Sequence, residues 1–291
     1  NSEIGLTLNT TENKVDANYF GDKNHINSGS SDMNQLGLVF IINDSEAGDF
    51  VKLAFAYNYQ QESNFISKFN AKGTNPISGL DHYFLNYANG IAFREIKTYD
   101  DEDLSQSYKY LGENNGFASQ QAFLGYQSYV IDPVSFDDNN TQYLSSSNPN
   151  NLPVDHNFFV TNGGKKSKHT FSFASQYGEN LYLGFNLNSH QINFRRVDNL
   201  IENNYGFTSS FDYTEFENDL LTIGEGFSFQ FGGIYRFKYL RIGLSYQSPV
   251  WYQMTDELSQ KIITNKINGK DTIDPLIINI YEYNMSTPSR Y

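Results

Sequence analysis

The chain has 291 residues, no cysteine, and 33 acidic against 20 basic side chains for a formal net charge of -13. This excludes a disulfide framework, thiolate chemistry and cysteine-ligated metal, and it excludes nucleic acid as a partner, because phosphate binding needs a basic face. Aromatic residues reach 16% while mean hydropathy is only -0.55, and no run approaches the ~18 apolar residues of a membrane helix.

Alternation of apolar and polar residues, which places successive side chains on opposite faces of a strand, begins with Ile4, Leu6 and Leu8. It resumes at Val15, Ala17 and Tyr19, and the phase slip over 9–13 predicts a bulge. Residues 21–34 (GDKNHINSGSSDMN) read as a polar loop. Leu36, Leu38, Phe40 and Ile42 then pair through a short turn over 44–49 with Val51, Leu53, Phe55, Tyr57 and Tyr59.

From 62 to 168 the alternation gives way to a long insertion. Residues 76–94 carry Leu80, Tyr83, Phe84, Tyr87 and Ile91 at helical spacing. Residues 118–131 carry Ala122, Phe123, Tyr126, Tyr129 and Val130, with Ser119 as a cap and Pro133 as a stop. The stretches 99–106 (YDDEDLSQ) and 137–151 (DDNNTQYLSSSNPNN) read as solvated loop. A connection longer than about 12–15 residues is usually functional or disordered, and the aromatic helices point to function.

Alternation returns with Phe171, Phe173 and Tyr177, which pair through the YGEN turn with Leu181, Leu183, Phe185 and Leu187. That strand continues to Phe194, and a loop is expected over 198–208. The clearest pattern follows. Phe227, Phe229, Phe231, Tyr235 and Phe237 share one parity, and beyond a tight connection Leu240, Ile242, Leu244 and Tyr246 share one. Tyr235, Phe237 and Tyr239 lie at one end of this apolar face, Trp251 and Tyr252 at the other. A transmembrane barrel wants that arrangement, an apolar outer band between two aromatic girdles. Gly224-Glu225-Gly226 reads as a strand bulge. A turn at KINGKD (266–271) and a strand over 277–285 close the chain.

This gives about eight strands, with short turns at 44–49, 176–180 and 237–239 on one side and long connections on the other, the asymmetry of an outer-membrane barrel. The expectation is an all-β fold, one transmembrane antiparallel β-barrel domain over 1–291, with short helices in a long extracellular loop. A soluble β-sandwich that binds glycans through its aromatics would alternate as well.

Three segments resemble outer-membrane transport proteins of the FadL/TodX type, in a form common in Bacteroidetes-like Gram-negative bacteria. They are FSFASQYGENLYLGFNLNSHQINFRR (171–196), GEGFSFQFGGIYRFKYLRIGLSYQSPVWYQMTD (224–256) and the helix closing on Ile131-Asp132-Pro133. The chain departs from that family in two ways. It has no Asn-Pro-Ala plug segment before its first strand, and the family barrel has about 14 strands. The STPSRY ending (286–291) is similar to a family turn that leads into further strands. The resemblance therefore implies an internal piece of a longer barrel, with a closed eight-stranded barrel as the alternative.

The resemblance also implies passive uptake of hydrophobic small molecules such as long-chain fatty acids or hydrocarbons across the outer membrane of a Gram-negative bacterium. Its partners would be the bilayer, lipopolysaccharide and the ligand. Some relatives act instead as scaffold subunits of envelope secretion or assembly complexes, which would add protein partners. The groove candidates are Leu80, Tyr83, Phe84, Tyr87, Phe123, Tyr126 and Tyr129, since an apolar patch rimmed by polar residues suits a ligand; packing of the helices on the barrel mouth is the competing role. On the polar parity stand Lys52, His190, Arg195, Arg196, Arg236 and Arg241, of which Arg195, Arg196 and Arg236 are candidate lumenal cations for a carboxylate. Pairing with Glu215, Glu217 or Glu225 is the structural alternative. Acidic runs at 100–103 and 137–138 lack EF-hand spacing. The five histidines form no H-x-x-x-H pair, and no nucleophile or phosphate-loop motif occurs. Neither an enzyme, a metal nor a cofactor is expected.

Overall fold

The computed structural model describes residues 2–43, 50–98, 102–206, 209–266 and 268–291. In chain order the elements are β1 (Glu3–Tyr19), β2 (Asp22–Asn43), β3 (Phe50–Asn64), β4 (Ser67–Asn75), α1 (Leu80–Ala88), α2 (Phe93–Ile96), α3 (Leu104–Asn114) and α4 (Phe117–Gln127). They continue with β5 (Ile131–Pro133), β6 (Tyr143–Ser145), β7 (Val154–Tyr177), β8 (Leu181–Asn203) and β9 (Phe211–Arg236). The last four are β10 (Arg241–Gln247), β11 (Trp251–Lys266), β12 (Gly269–Ile273) and β13 (Asn279–Ser286).

All strand pairs are antiparallel. The main sheet runs β1-β2-β3-β7-β8-β9-β11-β12, with β4 continuing the line of β3 along β7, β10 that of β11 along β9, and β13 that of β12 along β11. Eight long antiparallel lines therefore follow one another in chain order. Among the described residues the β1 edge and the β12/β13 edge do not pair, so the sheet is open. β5 and β6 form a separate two-stranded ribbon within the insertion.

The long strands are interrupted where the ladder needs an extra residue. The β3/β4 break at Phe65-Ile66 faces Gly163-Gly164, and the Phe65 N–H returns to the Gly164 carbonyl at 3.1 Å. Gly164 has φ +98°, and a Cβ there would stand 2.1 Å from the Asn193 carbonyl, so only glycine fits. The register of β1 with β2 shifts at Thr7/Leu8, where Asn34 of β2 is the extra residue, and residues 9–13 pair without a break, so the bulge expected there is not in the first strand.

Several sequence expectations change. The polar run 21–34 is strand rather than loop, because β2 pairs with β1 back to the turn at Phe20-Gly21. The insertion is shorter than 62–168: β4 reaches Asn75 and β7 starts at Val154, so strand pairing takes both of its ends. β8 runs to Asn203, into the loop expected over 198–208, of which 207 and 208 lie outside the described residues. The turn at 44–49 and residue 267 of the KINGKD turn also lie outside them. Gly224 and Gly226 sit in unbroken register with both neighbours, not in a bulge. Their missing side chains make room for Met254 and Tyr252, whose atoms would stand 2.5 and 2.6 Å from an added Cβ.

The helix expected over 76–94 is α1 followed by the single turn α2, and the one expected over 118–131 is α4. Gly116, at φ +88°, occupies the N-cap of α4, and Ser119 lies buried inside that helix. α3 was not expected. Its N-cap Asp103 accepts the N–H groups of Ser105 and Gln106, so this member of the acidic run 100–103 is a cap; residues 100 and 101 lie outside the described residues.

The main core joins the insertion to one face of the sheet, called the inner face below. Leu80, Phe84, Tyr108, Phe123, Leu124 and Ile131 pack with Phe216 of β9 and Ile262 of β11. Fully burying each large apolar side chain stabilises by about 1.5–3 kcal/mol. That holds the helices on the sheet at the end of the strands remote from the short turns.

Candidate functional site

Register assigns every strand residue to the inner or the outer face. On β9 the even positions share the face of Phe216, and the odd positions point away. On the outer face, the half of the sheet near the short turns carries Phe40, Leu53, Phe55, Phe171, Phe173, Leu183, Phe185, Phe227, Phe231, Ile242 and Leu244, all exposed. The stretch 227–235 has roughly the length that a tilted membrane strand needs, about 9–11 residues. Trp251, Tyr235, Phe237 and Tyr239 border the band, also exposed. Toward the insertion the same face becomes mixed, with Arg195, Glu215, Glu217 and Asp219 beside Phe159, Leu221 and Ile223. Among the described residues no helix is long and apolar enough to cross a membrane, which leaves strands untested.

Behind the apolar band the inner face is mostly small and polar, apart from Val39, Ile41, Tyr182 and Ile234, and Ile192, Tyr252 and Met254 pack together beside it. Ala54, Ala174, Gly184 and Gly232 line its lower part, and Thr170, Asn188, Ser228 and His190 form a ladder across β7, β8 and β9. Thr170 donates to Asn188 at 2.9 Å, Asn188 to Ser228 at 3.3 Å, and His190 Nε2 meets the Ser228 hydroxyl at 2.9 Å. Above the ladder Glu62 pairs with Lys166 at 3.2 Å and Lys168 at 3.3 Å. Under the helices lies a buried amide cluster: Gln121 and Tyr108 donate to Gln260, and Gln260 donates to Asn218 at 2.6 Å. The groups named here find partners, while His190 Nδ1 in the ladder and the neighbouring Tyr252 hydroxyl are buried without a hydrogen bond.

The groove candidates divide. Leu80, Phe84 and Phe123 are at most 3% exposed and belong to the core, so they offer no groove; packing on the sheet took them. Tyr83 is half-buried, donates to Gln121 at 3.0 Å and stacks edgewise on Tyr87 at 5.1 Å. Tyr126 stacks on Phe93 at 5.2 Å. Tyr129 is 50% exposed, with the Lys266 ammonium 3.5 Å from its ring centre. Of the seven, Tyr83, Tyr87, Tyr126 and Tyr129 keep accessible surface. Burial pushes the Tyr83 phenol upward, and pushes Tyr108 and Tyr143 to about 12, because a phenolate cannot be hydrated there.

The three cation candidates also separate. Arg195 lies on the outer face, on the opposite parity to His190, and makes a two-armed pair with Asp219 at 2.9 and 2.5 Å. It is therefore not lumenal. Arg196 faces inward and is bound to Asp198 at 3.0 Å. Arg236 is exposed beside the short turn, its N–H on the Asn180 carbonyl. Of the proposed acidic partners, Glu215 accepts from Asn199 at 2.6 Å. Asp138 of the second acidic run pairs with Lys97. Composition hid the inner charges that are present, Glu62, Lys166 and Lys168, inside the supposed insertion. The strand period of Lys166 and Lys168 was the available signal.

No protein-family model matches the chain, and neither a curated protein nor a solved structure matches it.

Proposed function

We propose that this chain is the wall of a transmembrane antiparallel β-barrel of the outer-membrane kind, with the helical insertion covering the lumen at the end of the long connections. The observation that carries the reading is the division of the faces. An exposed apolar, aromatic-bordered band is densest on the outer face near the short turns, with mostly small and polar side chains behind it. In water such a band would be an aggregation hazard, whereas in a bilayer it is the required surface.

Within that frame the FadL/TodX-type resemblance supports uptake of hydrophobic small molecules, entering past the accessible tyrosines of the insertion. The second reading, a non-transporting barrel that scaffolds an envelope complex, is favoured by one observation. The inner face carries hydrogen-bonded amides and paired charges rather than a continuous apolar path.

Purification of the protein from its own membrane without added lipid, followed by native mass spectrometry, separates the two. A co-purified acyl or hydrocarbon species, lost in Tyr83→Ala and Tyr126→Ala variants, supports uptake. A ligand-free protein that carries a stoichiometric protein partner supports the scaffold. Extraction by salt or alkali without detergent would remove the barrel reading altogether.

A further inference from the structure

On the outer face, at the border of the apolar band remote from the short turns, two rows of side chains cross β8, β9, β11 and β13. Register places Ser189, Phe227, Trp251 and Ser286 side by side in the row nearer the short turns. Gln191, Glu225, Gln253 and Asn284 stand side by side in the next row. All eight are exposed, and they wall an open groove of about 690 Å³. Small-molecule sites span about 300–1,000 Å³. Phe229 steadies the Trp251 ring from the band side, with ring centres 6.3 Å apart at 33°, and Trp251 stays 48% exposed.

The second row is unlike the rest of the sheet. Polar side chains opposite or diagonal on neighbouring strands are close enough to bond, and elsewhere they do. Arg195 binds Asp219, Asn199 binds Glu215, Asn186 binds Gln230 and Gln35 binds Asn58. Among the described residues, Gln191, Glu225, Gln253 and Asn284 bond neither one another nor any other side chain. Three amides and one carboxylate thus offer all their donors and acceptors beside an aromatic ring.

This composition selects the chemistry of an occupant. No lysine or arginine lines the groove, so a phosphate or a uronic acid meets only the opposing charge of Glu225. A wholly apolar molecule would cover the row and leave its polar groups without partners. A neutral sugar ring satisfies both walls. Its C–H face lies on an aromatic ring, and its hydroxyls each donate and accept. Amides answer hydroxyls in both directions, and a carboxylate accepts two neighbouring hydroxyls at once.

We propose that this groove is a saccharide site for a neutral hexose ring, stacked on Trp251 beside Phe227 and hydrogen-bonded by Gln191, Glu225, Gln253 and Asn284. Such a ring arrives either in a free oligosaccharide or as the headgroup of a membrane glycolipid. The site follows from register and side-chain chemistry, so it stands whether the outer face meets lipid or water. In a bilayer its aromatic border lies at headgroup level.

Trp251 is the only tryptophan of the chain, so its fluorescence reads the groove directly. The full chain in phosphatidylcholine discs is titrated with lactose, cellobiose and chitobiose, with sorbitol as an open-chain control. A parallel sample uses discs that carry galactosyl or glucosyl diacylglycerol. Should the chain need no membrane, the same titration runs in buffer, so failure of the barrel reading leaves this result readable. A saturable change in Trp251 emission is expected, with a midpoint on the order of 1 mM for a free sugar, and none with sorbitol. Gln253→Ala should raise the midpoint about fivefold. Asn284→Ala is the second variant, and both replace exposed side chains outside the core. A response to the free disaccharides assigns the site to soluble saccharide, and a response confined to the glycolipid discs assigns it to a headgroup; either supports the proposal. No response above the sorbitol level in any arm overturns it, as does a response that both variants leave unchanged.

Discussion

The ring of Phe84 stands 5.3 Å from the ring of Phe216, at 66° to it. One residue belongs to the first helix of the insertion and the other to the inner face of β9, so this edge-to-face contact seats the helices on the sheet. Gly125 of α4 closes the other side; a Cβ there would stand 2.7 Å from the Phe84 side chain. Phe84→Ala is expected to cost about 3–5 kcal/mol and to loosen α1 and α4 while the strands keep their protection. Hydrogen exchange resolved by peptide checks both parts.

The outer band predicts an asymmetry between two arginine changes. Phe173→Arg introduces a charge into the apolar band and is expected to cost about 2–4 kcal/mol in a bilayer. Arg195→Ala removes an exposed pair beyond the band and is expected to cost at most about 1 kcal/mol. Urea unfolding in lipid vesicles compares the two directly.

How much of this was legible in the sequence depended on whether period or packing decided a residue's place. Strands β7 to β11 follow from strict alternation at Phe171–Phe173, Leu181–Leu187 and Phe227–Phe231, because one face had to be apolar. The same rule failed for 21–34. There the side chains are polar on both faces, and β2 is held by backbone pairing with β1. α3 was hidden by its acidic start, although Asp103 with Gln106 three residues on is a capping pattern. At the candidate site, helical spacing found Leu80, Phe84 and Phe123 but could not say whether their apolar face meets a ligand or the sheet. Arg195 and Arg196, adjacent in sequence, point to opposite faces, which a reading that grouped them missed. The Gln191–Glu225–Gln253–Asn284 row lies on four strands, and only their register brings those side chains together.

Alkaline pH should release the insertion through Tyr108 and Tyr143. Burial raises both phenols to about 12 from the usual 10. For such groups the stabilisation is complete below pH 10 and is lost as pH rises from 10 toward 12, because the unfolded state ionises first. Tyr108 alone contributes on the order of 2–3 kcal/mol over that window. Tyrosinate absorbance in a pH titration should therefore rise together with loss of insertion protection, and Tyr108→Phe should flatten that loss.

Glu62 holds two ammonium groups apart on the inner face. Glu62→Gln leaves Lys166 and Lys168 without their counter-charge and is expected to cost about 1.5–3 kcal/mol. The double variant Glu62→Gln with Lys168→Met should recover part of that loss. A cycle of unfolding free energies measures the coupling, and strict additivity would deny it.

The central claim is that the outer face near the short turns lies against lipid. Since the chain has no cysteine, single cysteines at Phe173, Leu183 and Leu244, and at Arg195 and Lys261, can carry a spin label one at a time. In bilayers the first three labels are predicted to be reached by oxygen and shielded from a water-soluble nickel chelate, and the last two to show the reverse. Chelate access at all five positions would contradict the account.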